Sequence, residues 1–159
     1  MTASNSKKLA AEALGKFRLI YGSAKNHFRK IEKQCGISGS QLWILKEIAM
    51  IPNVGVTQIS EKLSIHQATC SLLVEKLVKK GLVTKERSQE DQRRVGLKAT
   101  DKGQAVLALA PEPLEGILPS AVNAMDEQSL DLLNQALSSL IGQLESYDSD
   151  MANKPLADL

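Results

Sequence analysis

Residues 57–103 decide the fold of this chain, and they read TQISEKLSIHQATCSLLVEKLVKKGLVTKERSQEDQRRVGLKATDKG. Apolar residues recur at helical spacing on both sides of Ser64, which predicts a short helix, a turn and a second helix. The second helix should run from about Gln67 to Lys80 and end before Gly81, because glycine readily adopts the left-handed conformation that closes a helix. A helix pair of this kind can hold its second helix against a groove of DNA.

Each of these two helices has one apolar face. In the first helix, roughly residues 57–63, we expect Thr57 to be the N-cap and Ile59 and Leu63 to be buried. In the second helix, a rotation of about 100° per residue directs one group of side chains towards the core. This group consists of Cys70, Leu73, Val74 and Leu77. The opposite face remains available to a partner, and it carries Gln67, Ala68, Ser71, Glu75 and Lys79.

A β-hairpin should follow the helix pair. Residues 82–87 and 94–99 alternate with period two, and the six residues between them are all polar, so the connection can project away from the core. Thr100 is the expected N-cap of the next helix, with Asp101 in its first turn, where a negative charge suits the helix dipole. One residue of the loop at 53–56 can pair with the hairpin.

Two adjacent motifs resemble the MarR family of winged helix-turn-helix regulators. DQRRVGLKATDKG, residues 91–103, is similar to the wing signature of that family, and TCSLLVEKLVKKGLV, residues 69–83, resembles its recognition helix and first wing strand. The resemblance extends more loosely over residues 17–144. The chain departs from the family pattern at Ala99, where a larger aliphatic residue is usual, and at Gly96 inside the second strand. Both departures predict a less tightly packed wing.

The resemblance implies a fold, an activity and a mode of control. The fold is mainly α with a small β-hairpin wing, in which a winged helix-turn-helix domain carries N- and C-terminal dimerisation helices. The implied activity is that of a transcriptional regulator, usually a repressor, which binds a near-palindromic DNA site as a homodimer and is released by a small-molecule or oxidative signal. It also implies that the wing aspartate, Asp91, orients Arg93 through an ion pair.

Composition limits the class of protein. Of the 159 residues, 43% are hydrophobic and 24% are charged, which is close to the globular average and suits one domain with appended helices. There is no apolar leader and no apolar run of about 18 residues, so we expect a cytoplasmic protein without membrane contact. The two cysteines, Cys35 and Cys70, are too few and too far apart for a disulfide framework or a paired-cysteine metal site. We expect no metal and no cofactor.

The charge of the chain is strongly asymmetric. Residues 1–102 contain 19 Lys and Arg against 9 Asp and Glu, a net charge of +10, whereas residues 103–159 contain 1 against 9, a net charge of −8. Such a bias alone would also suit two solvated faces of opposite sign. Because the helix pair lies in the basic part, double-stranded DNA is the favoured partner.

Apolar helices on both sides of the lobe predict a dimer. A helix from Lys7 to Cys35 should be closed by Gly36, and a helix capped by Ser38 or Ser40 should follow it. After Thr100, a helix should break near the prolines at 111–119. We therefore divide the chain into an N-terminal dimerisation helix (1–36, of which 1–6 should be disordered), the winged lobe (37–103), C-terminal dimerisation helices (104–147) and a disordered tail (148–159).

The last of these helices should begin at Asp126 and carry a stripe of leucines. Such a helix is apolar over too much of its surface to stand alone, and pairing of first and last helices in a two-fold dimer would cover it. Packing within one monomer is the alternative. The residues assigned to dimerisation are Phe17, Leu130, Leu133, Leu137, Leu140 and Leu144.

The candidate DNA contacts lie on the second helix and at the wing. Gln67 and Ser71 can reach base edges, since an amide can pair with adenine and a hydroxyl with several bases. Thr69 can contact a phosphate or stabilise the helix start. Arg93 and Arg94 suit a narrow minor groove. The remaining candidates on these elements are Ala68 in the groove and Lys76 and Lys98 at phosphates, together with Lys79, Lys80 and Lys85.

A signal could act at an aromatic pocket or at a cysteine. Tyr21, His27 and Trp43 are candidates for contact with a small aromatic effector, although a packing role is the simpler explanation of each. Cys70 faces the core, and a buried thiol has a raised pKa, so oxidation there is disfavoured; Cys35 lies near Lys33 but at a helix C-terminus. The alternative function is a winged-helix protein-interaction module. No glycine-rich phosphate loop or nucleophile motif indicates an enzyme.

Overall fold

The computed structural model describes residues 3–91 and 93–159, and in that part of the chain the fold is mainly helical with one two-stranded antiparallel sheet. This confirms the predicted fold class. The elements in chain order are α1 (Ala3–Cys35), α2 (Gly39–Met50), α3 (Val56–Leu63), α4 (Gln67–Lys79), β1 (Val83–Arg87), β2 (Val95–Ala99), α5 (Asp101–Leu109), α6 (Ile117–Asn123) and α7 (Glu127–Ile141). Two short 3-10 helices follow, at Ser149–Asn153 and Leu156–Asp158.

The hydrophobic core lies between α2, α3, α4 and the hairpin. Its fully buried side chains include Ile44 and Leu45 from α2, Leu77 from α4 and Leu97 from β2. The four α4 residues assigned to the core from the helical periodicity are all buried, as are Ile59 and Leu63 of α3. A single core therefore holds α4 by one face and leaves its other face to solvent.

Local hydrogen bonds explain where the helices begin and end. Ser38 caps α2 in a capping box, in which its Oγ accepts from the Gln41 N–H and its own N–H donates to the Gln41 side chain. The N-cap of α3 is Gly55 and not Thr57, so that prediction is wrong. The Gln58 side chain accepts a hydrogen bond from the Gly55 N–H, and this contact explains why the helix starts before the threonine.

The wing is a regular antiparallel hairpin with one extra bridge. Val83 pairs with Ala99 and Arg87 with Val95, as the period-two pattern predicts. Val54 in the loop before α3 forms an isolated bridge to Leu97, which confirms that one residue of this loop pairs with the hairpin. A Cβ on residue 96 would lie 3.1 Å from the Cα of Asn53. Gly96 therefore permits this loop to approach the wing closely.

The start of α5 is tied to the end of α4. The Thr100 hydroxyl accepts a hydrogen bond from the Gly103 N–H at 3.1 Å and donates one to the Gly81 carbonyl at 2.6 Å. A Cβ on residue 103 would lie only 2.3 Å from the Leu82 carbonyl oxygen. The glycine of the wing signature is therefore required by a close helix-to-backbone approach.

Helices α1 and α7 leave much of their apolar surface uncovered in the single chain. Residues 7–14 and 16–21 of α1 are exposed, and the large apolar side chains among them include Leu14, Phe17 and Ile20. On α7, Leu130, Leu133 and Leu137 are half-buried, whereas Leu140 is exposed. Asp126 caps α7 by accepting from the Ser129 N–H, as predicted. Within the described ranges, no helix has the length and apolarity that crossing a membrane requires.

Two expectations about the chain ends differ from the structure. Residues 3–6 were expected to be disordered but are helical, because α1 begins at Ala3; residues 1 and 2 lie outside the described part. The tail at 148–159 was also expected to be disordered. Instead, its two 3-10 helices pack on the lobe, where the Ser40 hydroxyl donates to the Asp158 carboxylate at 2.7 Å and the Asn153 carbonyl accepts from the His66 N–H at 3.2 Å.

The proline-rich connection behaves as expected. α5 ends at Leu109, just before Pro111, and a loop leads to the short helix α6, which carries Pro119 in its first turn. Proline is tolerated in a first turn because its missing N–H has no partner within the helix there. The His27 side chain, on α1, lies 3.1 Å from the carbonyl oxygen of Pro113 and so joins this connection to α1.

Candidate nucleic-acid interface

The outward face of α4 carries most of the side chains assigned to DNA. Gln67 and Ala68 are exposed at its first turn, and Lys76 is exposed one turn before its end. Thr69 and Ser71 are half-buried, so each presents only part of its surface to solvent. This helix is amphipathic as the periodicity predicts, and its polar side chains are free of the core that fixes the helix in place.

The wing tip is organised by short-range polar contacts. The Ser88 hydroxyl accepts from the backbone N–H groups of Glu90 and Asp91, and the Asp91 carboxylate accepts from the Arg93 backbone N–H at 3.0 Å. The other carboxylate oxygen of Asp91 lies 3.8 Å from Nε of Arg94. The ion pair expected between Asp91 and Arg93 is thus formed with Arg94 instead, because Arg93 approaches the carboxylate through its backbone. Gln92 lies outside the described residues.

Several lysines near this surface are already engaged within the chain. Lys85 of β1 pairs with Glu75 of α4, so one exposed carboxylate on the helix is neutralised by the wing. Lys80 donates to the carbonyl of Gly36 at 2.9 Å, and Lys102 donates to that of Lys80. Lys76, Lys79 and Lys98 are exposed. Among the candidate phosphate contacts, Lys80 and Lys85 are therefore held by partners within the chain. Lys76, Lys79 and Lys98 project into solvent.

An open cleft of about 930 Å³ separates the wing from the N-terminus of α3. Thr57 and Gln58 line its helical side, and Arg87 and Arg94 line its wing side. Glu86 and Glu90 also contribute, so the cleft carries both signs of charge.

Two ion pairs fix α2 and were not foreseen from the sequence. Glu47 of α2 is buried, and its carboxylate lies 2.5 Å from Nζ of Lys62 on α3. Lys46 donates to Glu115 at 2.8 Å, and this contact lowers the pKa of the Glu115 carboxyl group. Neither pair has a local sequence pattern, since the partners are 15 and 69 residues apart.

The three residues assigned to an aromatic pocket do not line the cleft beside the wing. Tyr21 is 69% exposed on α1 and lies beneath Lys25 in a cation–π contact, with 5.8 Å between Nζ and the ring centroid. His27 is buried and its Nε2 is directed at Pro113. Trp43 is half-buried and packs on the core of the lobe. Each residue thus has a contact of its own within the chain.

Both thiols are disfavoured as thiolates. Burial raises the pKa of Cys70 to about 11, and its Sγ donates to the Val56 carbonyl at 3.7 Å. Burial also raises the pKa of Cys35, whose Sγ lies 3.9 Å from the carbonyl oxygen of Val106. Since the thiolate is the reactive form, neither environment activates a cysteine for oxidation.

One exposed residue of α4 was missed in the sequence analysis. Leu72 is 66% exposed although it lies in the middle of the helix. A rotation of about 100° per residue places Leu72 on the outward side of α4, about 40° from Ala68 and about 20° from Lys79. The apolar residue type suggests burial, but the position of Leu72 around the helix axis exposes its side chain to solvent.

The chain is similar to known proteins in sequence and in fold. A family model described as MarR family matches residues 36–94, from the end of α1 to the wing tip. The HTH-type transcriptional repressor MdtR of Bacillus subtilis (strain 168) is 27% identical over 73 residues, 46% of this chain and 46% of that protein, so the chain aligns with less than half of that repressor. The organic hydroperoxide resistance transcriptional regulator of the same organism is 24% identical over 131 residues, covering 80% of this chain and 86% of that regulator.

The fold is also shared with solved structures. A mutant of MepR from S. aureus, bound to an oligodeoxyribonucleotide, superposes with a TM-score of 0.52 and 19% identity, covering 84% of this chain and 98% of that chain. The matching family model spans the helix-turn-helix and reaches the start of the wing motif, so in this part of the chain the sequence is similar to the MarR family.

Proposed function

We propose that this protein is a transcriptional regulator that binds a near-palindromic site in double-stranded DNA as a homodimer. The observation that carries the proposal is the placement of α4: one face is buried in the core, and the other stands free beside a wing that carries arginines. A rigid helix with a polar outer face is what insertion into a major groove requires.

In this arrangement the two DNA-contacting elements have different tasks. Gln67 and Ser71 of α4 contact base edges, Ala68 allows close approach in the groove, and Thr69 contacts the backbone near the helix start. At the wing, Arg93 and Arg94 enter the neighbouring minor groove, where negative potential favours a cation. The pairing of Arg94 with Asp91 restricts the wing tip before binding. Lys76 and Lys98 contact phosphates on either side.

The uncovered apolar surfaces of α1 and α7 support the dimer. Phe17 is 42% exposed and Leu140 is 44% exposed in the single chain, and their helices carry further leucines at helical spacing. A second copy of the same chain can cover both helices at once through a two-fold axis. Two copies of α4 would then lie about one turn of DNA apart, roughly 34 Å, which makes the preferred site a near-palindrome. The assigned dimer residues also include Leu130, Leu133, Leu137 and Leu144.

We further propose that the protein acts as a repressor released by a small molecule. A relative of this chain is named a transcriptional repressor. The alternative, an oxidative signal, gains support from the name of the organic hydroperoxide resistance regulator. The raised thiol pKa values of Cys35 and Cys70 count against it, since they keep both residues protonated at neutral pH. Tyr21, His27 and Trp43 remain the candidates for effector contact.

The decisive experiment measures binding to the duplex upstream of the gene for this protein and to an unrelated duplex, at several salt concentrations. A preference for the first duplex, with affinity falling steeply as salt rises, is expected of a sequence-specific regulator. Equal binding to both duplexes would contradict specificity, and no binding at low salt would favour a protein-interaction module instead.

Two separate arginine substitutions, one at the wing and one on α1, provide a matched comparison for this experiment. Arg93→Ala should weaken binding and lower the salt slope by about one unit per wing, because one phosphate-proximal charge is lost. Arg29→Ala removes the same charge from an exposed site on α1 and should leave the slope unchanged. Equal effects of the two substitutions would show that only net charge matters.

A further inference from the structure

Leu72 stands on α4 without any role in the packing of its own lobe. It is 66% exposed, whereas Cys70, Leu73, Val74 and Leu77 of the same helix are at most 4% exposed and form the core. Single exposed leucines are common on protein surfaces and by themselves indicate nothing. The position of this leucine, rather than its exposure, is informative.

Leu72 lies near the centre of the surface that α4 presents. A rotation of about 100° per residue places it within about 40° of Ala68, Lys76 and Lys79. Ala68, Lys76 and Lys79 are themselves exposed. The buried side chains of Cys70 and Val74 lie about 160° from Leu72, so the opposite side of the helix faces the core. If α4 enters a groove with this surface first, Leu72 therefore faces the floor of the groove. Lys76 and Lys79 lie beside it and can contact the phosphates.

The wing and the tail leave this position open. The wing engages α4 at Glu75 through Lys85, about 60° away from Leu72 around the helix. The tail contacts the helix start, where the Asn153 carbonyl accepts from the His66 N–H. Leu72 lies six residues further along, almost two turns, so neither segment is hydrogen-bonded at its level.

The chemistry of a leucine restricts what it can recognise in a major groove. It has no hydrogen-bond donor or acceptor, so it cannot read the polar edge of any base. The C5 methyl group of thymine is the apolar group that unmodified DNA exposes there. We propose that Leu72 contacts the methyl group of one thymine in each half-site and makes that base pair part of the sequence preference.

This inference rests on the proposed DNA binding and adds a specific base to it. Gln67 and Ser71 lie about 140° and 100° from Leu72 around the helix, so the polar and apolar contacts address different base pairs. The recognised sequence is therefore expected to combine a polar contact and a thymine at separate positions of each half-site.

Uracil provides a direct test, because it differs from thymine only by the absence of this methyl group. The full-length protein is first used to select bound duplexes from a random pool, and each thymine of the selected duplex is then replaced by uracil in turn. For the unaltered protein, one position per half-site should lose about fourfold in affinity, the value expected for one buried methyl group. The replaced duplex keeps every hydrogen bond.

The variants identify the side chain responsible. Leu72→Ala should bind the thymine and uracil duplexes equally at that position, whereas Leu72→Met, which keeps an apolar side chain of similar reach, should retain most of the difference. Leu109→Ala removes a similarly exposed leucine from α5 and should retain the whole difference. Because Leu72 is outside the core, the melting temperature of Leu72→Ala should match that of the parent, which shows that the variant is folded.

The outcomes separate this inference from the function on which it rests. If the selected duplex is bound specifically but no thymine is sensitive to uracil, the regulator stands and the role of Leu72 is overturned. The role is also overturned if Leu72→Ala keeps the full thymine preference, which would assign the methyl contact to another side chain such as Ala68. If no duplex is enriched at all, the proposed function itself fails.

Discussion

Replacing Gly103 by alanine should destabilise the lobe, although the same change usually stabilises a helix. Alanine is favoured over glycine by about 1 kcal/mol in a helix interior. Here, however, the new Cβ would lie 2.3 Å from the Leu82 carbonyl oxygen and 3.3 Å from Cδ1 of Leu45. The backbone of Leu82 has to move, and that same carbonyl accepts the Thr100 N–H at 3.0 Å.

These contributions can be compared in magnitude. Relief of an overpacked contact costs about 1–3 kcal/mol, and a weakened hydrogen bond costs about 1 kcal/mol more. Against the gain in helix propensity, the net loss in the free energy of unfolding is about 2 kcal/mol. For a chain of this length that corresponds to a fall in melting temperature of about 4–8 °C.

The assay is urea unfolding followed by circular dichroism, at one protein concentration because a dimer is expected. Gly142→Ala is the matched control, since that residue has a helical φ of −61° and its Cβ would meet only ordinary contacts at 3.5 Å. The control should gain about 0.4–1 kcal/mol. An unchanged or raised midpoint for Gly103→Ala would refute the close approach of α5 to Leu82.

Three further outcomes are expected. Thr100→Ala should lower the free energy of unfolding by about 1–2 kcal/mol, because it removes the cap bond to Gly103 and the bond to Gly81, and urea unfolding measures this loss. Burial raises the pKa of Cys70 from 9.0 to about 11, so the folded state holds this proton more tightly than the unfolded state. Stability should therefore fall as the pH rises from 9 to 11, and Cys70→Ala should remove that part of the fall in unfolding curves recorded across this window. A chain truncated after Asp126 lacks α7 and should sediment as a monomer; a dimer peak would contradict the proposed interface.

The fold of the lobe was predictable because local patterns and tertiary packing agree there. The period of α4, its end at Gly81 and the pairing of β1 with β2 follow from residues close together in the chain. The predicted start of α3 was wrong because a neighbouring side chain, and not the best N-cap residue type, fixes where the helix begins. Thr57 is a good N-cap in isolation. The Gln58 side chain accepts a hydrogen bond from the Gly55 N–H, however, so α3 begins before the threonine.

The candidate site was predictable in outline and less so in detail. Angular position correctly divided α4 into two faces. The exposure of Leu72 was not predicted, because its residue type suggested burial. The partner of Asp91 depends on backbone geometry at the wing tip, which a motif does not specify. The docking of the tail depends on Asp158 reaching Ser40, 118 residues away, and composition alone indicated a disordered segment. Such a contact joins residues that are far apart in the chain, so no periodic pattern in the sequence predicts it.

The ion pair between Glu47 and Lys62 has a consequence for how this sequence can change over evolutionary time. Its two members are unequal, because the side chain of Glu47 is 6% exposed whereas that of Lys62 is 52% exposed. Loss of the lysine first would leave a buried carboxylate without a counter-ion, which is costly. Loss of the glutamate first leaves a lysine that can turn to solvent at little cost. Descendants that lack the pair should therefore have lost Glu47 before Lys62, so that intermediates with a lone lysine are common and those with a lone glutamate are rare.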